Sequence, residues 1–298
     1  MIIDSTMRNS LYTATETYFN NMCNSSPGKS EPKILENIHR HLCYLRDSWK
    51  SIFHGKHANI EMYSLFIHKS PLVLPISRYC KSGIEFGDLL FIHTTRRPNN
   101  KSTSHALLLQ AKLLNASINK CQLDLYTSWP EFSFSTKKIA DATTPNKFNL
   151  PGPRPHNGAR YLFIDTSGQD PLLLSTATPH IGLNSSNTRV DFINEILDLL
   201  NLNAGRELIY PINDDWTRAI DHVFEWAKEE YYGKSNLLLD NHPRIERLLG
   251  YLTNPNYDKG IFERALPFTR SIEPENIEGK QDEGFMVVHI LSDGIIND

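Results

Sequence analysis

Apolar side chains recur along this chain with two periods, and the switches between them divide it into elements. Leu11, Thr15, Tyr18, Phe19 and Met22 keep the spacing of one helical face behind Ser10, a capping residue type, which predicts a helix over 10–23. Residues 24–32, rich in Ser, Asn, Pro and Gly, read as a loop. A longer stripe of Ile34, Leu35, Ile38, Leu42, Leu45, Trp49 and Ile52 predicts a second helix from Pro32 to Phe53, with Ser30 and Pro32 as start signals. The period then shortens. Leu65–Ile76, interrupted by Pro71 and Pro75, suits an edge strand or extended segment. Glu85–His93 and Ala106–Lys112 are short Leu- and Phe-rich runs bounded by turn residues, the pattern of a strand pair joined by a basic loop.

Ser117–Ser128 reads as a short helix closed by Trp129 and Pro130. Residues 141–160 form a long loop carrying Lys147, Arg154, His156 and Arg160. Arg160–Asp165 and Pro171–Ser175 are two further buried-strand candidates. The expectation is an α/β fold, a mixed sheet of four or five strands with helices on its faces. From about residue 185 the pattern turns helical, over Val190–Leu202, Trp216–Tyr231 and Pro243–Leu252, with Asn187, Asp214 and Asn241 as caps. We therefore expect a first domain over 1–184 and a mainly helical appendage over 185–298. Phe285–Leu291 is one more strand, and its sequence leaves open whether it joins the sheet.

Composition narrows the function classes. The chain has 298 residues, enough for a substantial core, and a net charge of −3 that gives no global attraction to nucleic acid. Any such binding has to come from local basic patches. The four cysteines, at 23, 43, 80 and 121, are scattered without a CxxC pair, which suits a reducing, cytoplasmic setting. The N-terminus has no basic region followed by an apolar run, and nowhere do about eighteen apolar residues occur together, so neither secretion nor membrane spanning is expected.

Several motifs can be set aside. His39 and His41 lie two apart on a helix and cannot share one metal ion there. The Gly-Lys-Ser triplets at 28–30 and 233–235 have Cys23 and Lys228 where a phosphate-binding loop needs Gly. Neither a Gly-x-Ser-x-Gly elbow nor a Gly-x-Gly-x-x-Gly turn is present.

The chemistry concentrates in the strand pair. Gln110 and Lys112 are separated by one residue, so a strand points both to one face. Burying them at the end of an apolar strand costs free energy unless something anionic or metallic meets them. Asp88 opens the first strand, and antiparallel pairing brings it near Gln110. A carboxylate, an amide oxygen and an ammonium then converge, the minimum for holding a hard divalent cation and placing positive charge on a water or a phosphate.

An acid at the start of one strand, followed by an apolar strand ending Gln110-Ala111-Lys112, resembles the PD-(D/E)xK, or restriction-endonuclease-like, nuclease superfamily, in the branch where Gln replaces the second acid, as in Mrr-type enzymes. The resemblance covers roughly residues 70–175. It implies a restriction-endonuclease-like fold in which Asp88, Gln110 and the Ala111 carbonyl bind Mg²⁺ or Mn²⁺, and Lys112 orients the attacking water and stabilises the developing charge. It further implies DNA as substrate, a restriction or anti-phage role and a helicase or ATPase partner; the sequence leaves a homo-oligomer open. Gly87 stands where the superfamily has Pro, and neither N-terminal helix offers an obvious extra Glu. Glu36 falls about 150° from its helix's apolar stripe and points to solvent, whereas Glu16, Glu61, Glu85 and Glu131 stay open. A bulge at Gly87 could turn Glu85 inward beside Asp88.

Each signal has a plainer reading. The strand-pair polar groups could simply face water, and an inactive nuclease-fold subunit that binds a protein partner or nucleic acid is the alternative to an enzyme. Arg96, Arg97, Lys101, Lys147, Arg154 and Arg160 could contact phosphates or be solvated loop charge. Tyr126, Trp129 and Phe132 could stack on a splayed base, though packing under the sheet is the stronger expectation.

Overall fold

The computed structural model describes residues 3–26, 30–54, 58–67, 70–96, 102–114, 116–135, 147–150, 152, 156–166, 174–177, 189–232 and 284–293. In chain order they form α1 (Ser5–Ser25), α2 (Glu31–His54), β1 (Ile60–Ile67), β2 (Leu72–Pro75), β3 (Ile84–Glu85), β4 (Leu89–Arg96), β5 (Ser102–Leu113), α3 (Lys120–Ser128), β6 (Phe132–Phe134), β7 (Ala159–Ile164), β8 (Leu174–Ala177), β9 (Arg189–Asp191), α4 (Phe192–Leu200), β10 (Arg206–Leu208), α5 (Asp215–Tyr232) and β11 (Phe285–Asp293).

Both N-terminal helices start earlier than their apolar stripes suggest. Asp4, not Ser10, caps α1, its side chain accepting from the Met7 N–H at 2.8 Å. Met7 then joins Leu11, Thr15, Tyr18, Phe19 and Cys23 on the buried face. In α2 the helix begins at Glu31, with the Ile34 N–H returning to the Ser30 carbonyl at 3.0 Å. The two helices are pinned together where the Trp49 indole donates to Thr15 Oγ1 at 2.9 Å.

Eight strands make one mixed sheet in the order β1-β11-β4-β5-β7-β8-β9, with β10 pairing β5 beside β7. The β4–β5 pair is antiparallel, in a register running from Leu89 opposite Leu109 to Arg96 opposite Ser102. A second sheet, β3-β2-β6, takes the Pro-containing segment that the sequence left as an edge strand. Period-two alternation sorts the main sheet's residues between two cores. Leu107, Leu109 and Ala111 of β5 pack with Ile34, Ile38 and Trp49 of α2 and Phe192 and Ile196 of α4. Ala106 and Leu108 pack with Tyr126 of α3, Phe132 of β6 and Trp216 and Ile220 of α5. Each such Leu, Ile or Phe contributes roughly 1.5–3 kcal/mol by leaving water.

The described residues beyond 185 do not stand apart as a helical appendage. β11 enters the middle of the sheet, antiparallel to β1 and parallel to β4. α4 belongs to one core and α5 to the other, and Arg8 of α1 forms an ion pair with Asp198 of α4 at 2.9 Å. Helical periodicity announces an apolar face without saying what it will cover. The continuous apolar run of β11 is what a strand buried on both faces requires. The helix expected over 243–252 lies outside the described residues.

Cys80 and Cys121 are joined by a disulfide across 41 residues, Cα to Cα 5.0 Å, a pairing that their scatter along the sequence did not reveal. Cysteine usage therefore gives no argument for a reducing compartment. Among the described residues no helix is long and apolar enough to cross a membrane.

Candidate active site

The site grows from a mismatch in strand length. β4 starts at Leu89 opposite Leu109, whereas β5 continues to Leu113. On that edge of β5 the next two amides, Ala111 and Leu113, run past the end of their neighbour. Two carboxylates take them. Asp88 Oδ2 accepts from the Ala111 N–H at 2.7 Å, and Glu31 Oε1 accepts from the Leu113 N–H at 2.8 Å. A strand residue's N–H and C=O leave the chain on one side, so the Ala111 carbonyl turns toward the same edge.

Asp88 is held firmly. Its N–H donates to the Leu109 carbonyl and its carbonyl accepts from the Met286 N–H, both at 2.9 Å, which locks its backbone between β5 and β11. Gly87 before it has no room for a side chain, since a Cβ there would lie 2.7 Å from Leu108 Cδ1 and 3.1 Å from the Tyr126 hydroxyl. Glycine at this position is what lets β5 and α3 close in.

The Asp88 side chain, 7 % exposed, meets Gln110 as the alternation predicts: Gln110 Nε2 donates to Asp88 Oδ2. Gln110 Nε2 also lies 3.5 Å from Glu85 Oε2, and Gln122 Nε2 of α3 reaches that same oxygen at 3.4 Å. Glu85 does turn inward, though not through a bulge within one strand: it belongs to β3 of the smaller sheet, and the chain changes sheets between Glu85 and Asp88. Lys112 Nζ lies 3.3 Å from Glu31 Oε2, so its direct partner is Glu31 rather than Asp88. Burial, and next the neighbouring Glu85, push the Asp88 carboxyl well above the usual range, while Lys112 and the Ala111 N–H oppose that rise. Three carboxylates and one ammonium share the site.

Glu31, in the first turn of α2, brings an acid from an N-terminal helix to Lys112 and the Leu113 N–H, where the sequence offers no obvious one. The apolar stripe predicts a start at Pro32 and leaves Glu36 as the helix's glutamate, which forms an ion pair with Arg40 at 2.7 Å. The available signal was an acid in the first turn, a position so often acidic for dipole reasons that it does not stand out. Gln122 was missed as well, although its four-residue spacing from Tyr126 puts both on one face of α3. The Tyr126 hydroxyl donates to the Phe86 carbonyl at 2.8 Å.

The other candidates lie elsewhere. Glu61 is paired with Lys50 at 2.7 Å, and Glu131 with Lys147 at 2.9 Å. Glu16, on α1, has no contact with the site among its described interactions. Arg160 faces the α4 layer, where it lies 3.4 Å from Glu195, because its neighbours Ala159 and Tyr161 take the opposite face. Arg96 ends β4, roughly 25 Å along the strand from Asp88. Arg97, Lys101 and Arg154 lie outside the described residues. Tyr126, Trp129 and Phe132 are buried, which is the packing role rather than base stacking.

Among the described residues no group of three or more His, Cys, Asp and Glu is placed to hold a metal ion. The donor set here is different in kind, because it draws on an amide and a main-chain carbonyl. Gln110 is fully buried and its Oε1 has no hydrogen-bond partner. An orphaned acceptor beside a crowded carboxylate pair fits a hard divalent cation, which takes carboxylate, amide and carbonyl oxygens. No family model, curated protein or solved structure matches this chain.

Proposed function

We propose that this chain is a metal-dependent nuclease that hydrolyses DNA phosphodiester bonds, in a restriction or anti-phage role. The observation that carries the reading is the buried, partnerless Gln110 Oε1 beside an Asp88 carboxyl whose proton affinity is raised. Asp88, Gln110 through Oε1 and the Ala111 carbonyl would hold Mg²⁺ or Mn²⁺. A cation bound there lowers the pKa of a water and offsets charge on the phosphate oxygens.

The chain's own groups do the rest. Lys112 presents an ammonium at the end of β5, able to orient the attacking water and stabilise the charge that develops on phosphorus-bound oxygens. Glu31 fixes that ammonium by dividing its two oxygens between Lys112 Nζ and the Leu113 N–H. Gln122 and Gln110 together hold Glu85 against the site. One carboxamide in place of a carboxylate removes a negative charge, so metal affinity is weak until substrate phosphate adds its own oxygens.

Incubating the purified chain with plasmid and Mg²⁺ or Mn²⁺, beside Asp88→Ala and Lys112→Ala, tests this. Cleavage by the parent and loss in both variants is expected; equal cleavage by all three rejects the assignment. A second reading, an inactive subunit with a nuclease-like fold, is favoured by one fact: Asp88, Gln110 and the Ala111 N–H already satisfy one another in part. A parent that cuts nothing with either ion supports that alternative.

A further inference from the structure

We infer that the segment between β2 and β3, residues 76–83, is a platform for single-stranded nucleic acid at the rim of the candidate site; the substrate class it assigns rests on the nuclease reading. The segment carries exposed apolar surface that the fold does not use, with Ile76 63 % and Tyr79 45 % exposed. Tyr79 is not bare: the Arg78 guanidinium lies over its ring, 4.7 Å from the centroid. The same guanidinium donates to the Tyr79 hydroxyl at 2.5 Å, and a cation held against an aromatic ring offers π surface and positive charge together, the pair of features that holds an unpaired base and its phosphate.

The anchoring of the segment places it beside the carboxylates. The Cys80–Cys121 disulfide fastens it to the first turn of α3, and the Ser77 hydroxyl donates to the Asp124 carboxylate on the same helix. Gln122, next to Cys121, reaches Glu85. Fastening Cys80 to Cys121 also draws together their sequence neighbours Lys81 and Lys120, both exposed. Arg78, Lys81 and Lys120 are thus three exposed cations flanking the disulfide, with Asp124 the acid bonded to this segment, on a chain whose net charge is −3. Such a cluster suits a polyanion better than an acidic-poor protein surface. A duplex has its bases stacked inside and presents no face for Tyr79, so the strand that fits is single or frayed.

The test is fluorescence anisotropy of the full chain in EDTA, where cleavage cannot intervene, with labelled oligo-dT, oligo-U and a blunt DNA duplex of equal length. We expect the single strands to bind more tightly than the duplex. Tyr79→Ala should weaken single-strand binding roughly 5- to 100-fold, with Tyr79→Phe close to the parent. Lys81→Ala with Lys120→Ala should lower the slope of log affinity against log salt by about 1.4. Single-strand binding unchanged in Tyr79→Ala, a preference for duplex, or no binding to any probe overturns the inference. Its failure is distinguishable from that of the nuclease reading: metal-dependent cleavage with Tyr79-independent binding sinks only the platform, and Tyr79-dependent binding without cleavage sinks only the enzyme.

Discussion

The two ends of the β4–β5 ladder both bury polar groups, and they do so in opposite ways. At the hairpin end the groups are uncharged hydroxyls and imidazoles, mostly matched, with Thr95 Oγ1 the exception. His93 pairs through Nδ1 with the Leu199 carbonyl at 3.1 Å and through Nε2 with Ser292 Oγ at 2.8 Å. Thr94 Oγ1 meets Ser104 Oγ at 2.8 Å and His289 Nε2 at 2.9 Å. Burial pushes the His93 imidazole down to about 3, so it stays uncharged at neutral pH. At the other end, Asp88, Glu85 and Glu31 crowd around one ammonium while an amide oxygen goes without a partner. A network that only supports a fold has every reason to be neutral and satisfied. Crowded like charges beside an orphaned acceptor are tolerated where a ligand is to come.

If that contrast is right, the ends respond differently to substitution. Lys112→Ala should lower metal-dependent plasmid cleavage by roughly 10²–10³-fold with an unchanged melting temperature to within a few degrees, measured by single-turnover kinetics and thermal denaturation. A melting collapse with proportionate loss of activity would make the two ends alike. His93→Ala should do the reverse. It empties a fully buried position and strands Ser292 Oγ and the Leu199 carbonyl, for a loss of about 2–4 kcal/mol in denaturant unfolding. Cleavage per folded molecule should hold. Glu31→Gln keeps a hydrogen-bonding shape but not the charge facing Lys112, and should reduce cleavage about 10–100-fold while leaving substrate binding in EDTA in place.

How much of this was legible beforehand depends on range. Gln110 and Lys112 share a face by the alternation of a strand, and the Asp88–Gln110 contact follows from antiparallel pairing of neighbouring runs. Both inferences are local. Glu31 meets Lys112 across 81 residues, and nothing in the first turn of α2 marks that acid among the many that serve a helix dipole. Glu85 was argued by counting along one strand, a rule that does not apply once β3 and β4 belong to different sheets. The place of β11 between β1 and β4 joins segments nearly two hundred residues or more apart, and parallel pairing leaves no turn signature to read. The mixed α/β class and the buried roles of Tyr126, Trp129 and Phe132 were accessible because they follow from hydropathy alone.

The smallest expected effect is also the most direct measure of the strain held at the site end. Asp88 has a folded-state pKa above its unfolded value, so the folded chain holds that proton more tightly than the unfolded one. Its ionisation therefore counts against folding. The penalty is absent below the unfolded value of about 3.9, grows as pH rises toward the folded value, and is constant above it. Asp88→Asn removes the charge while keeping the shape. The oxygen of the introduced carboxamide, in the place of Asp88 Oδ2, can still accept from both the Ala111 N–H and Gln110 Nε2. We expect this variant, inactive in cleavage, to melt about 2 °C or more above the parent at pH 8 in EDTA, on the order of 1 kcal/mol. The gain should shrink as the pH is lowered toward 4. A gain that grew on acidification would mean that Asp88 is stabilised as its carboxylate in the folded chain, and would remove the charge crowding that separates this end of the ladder from the other.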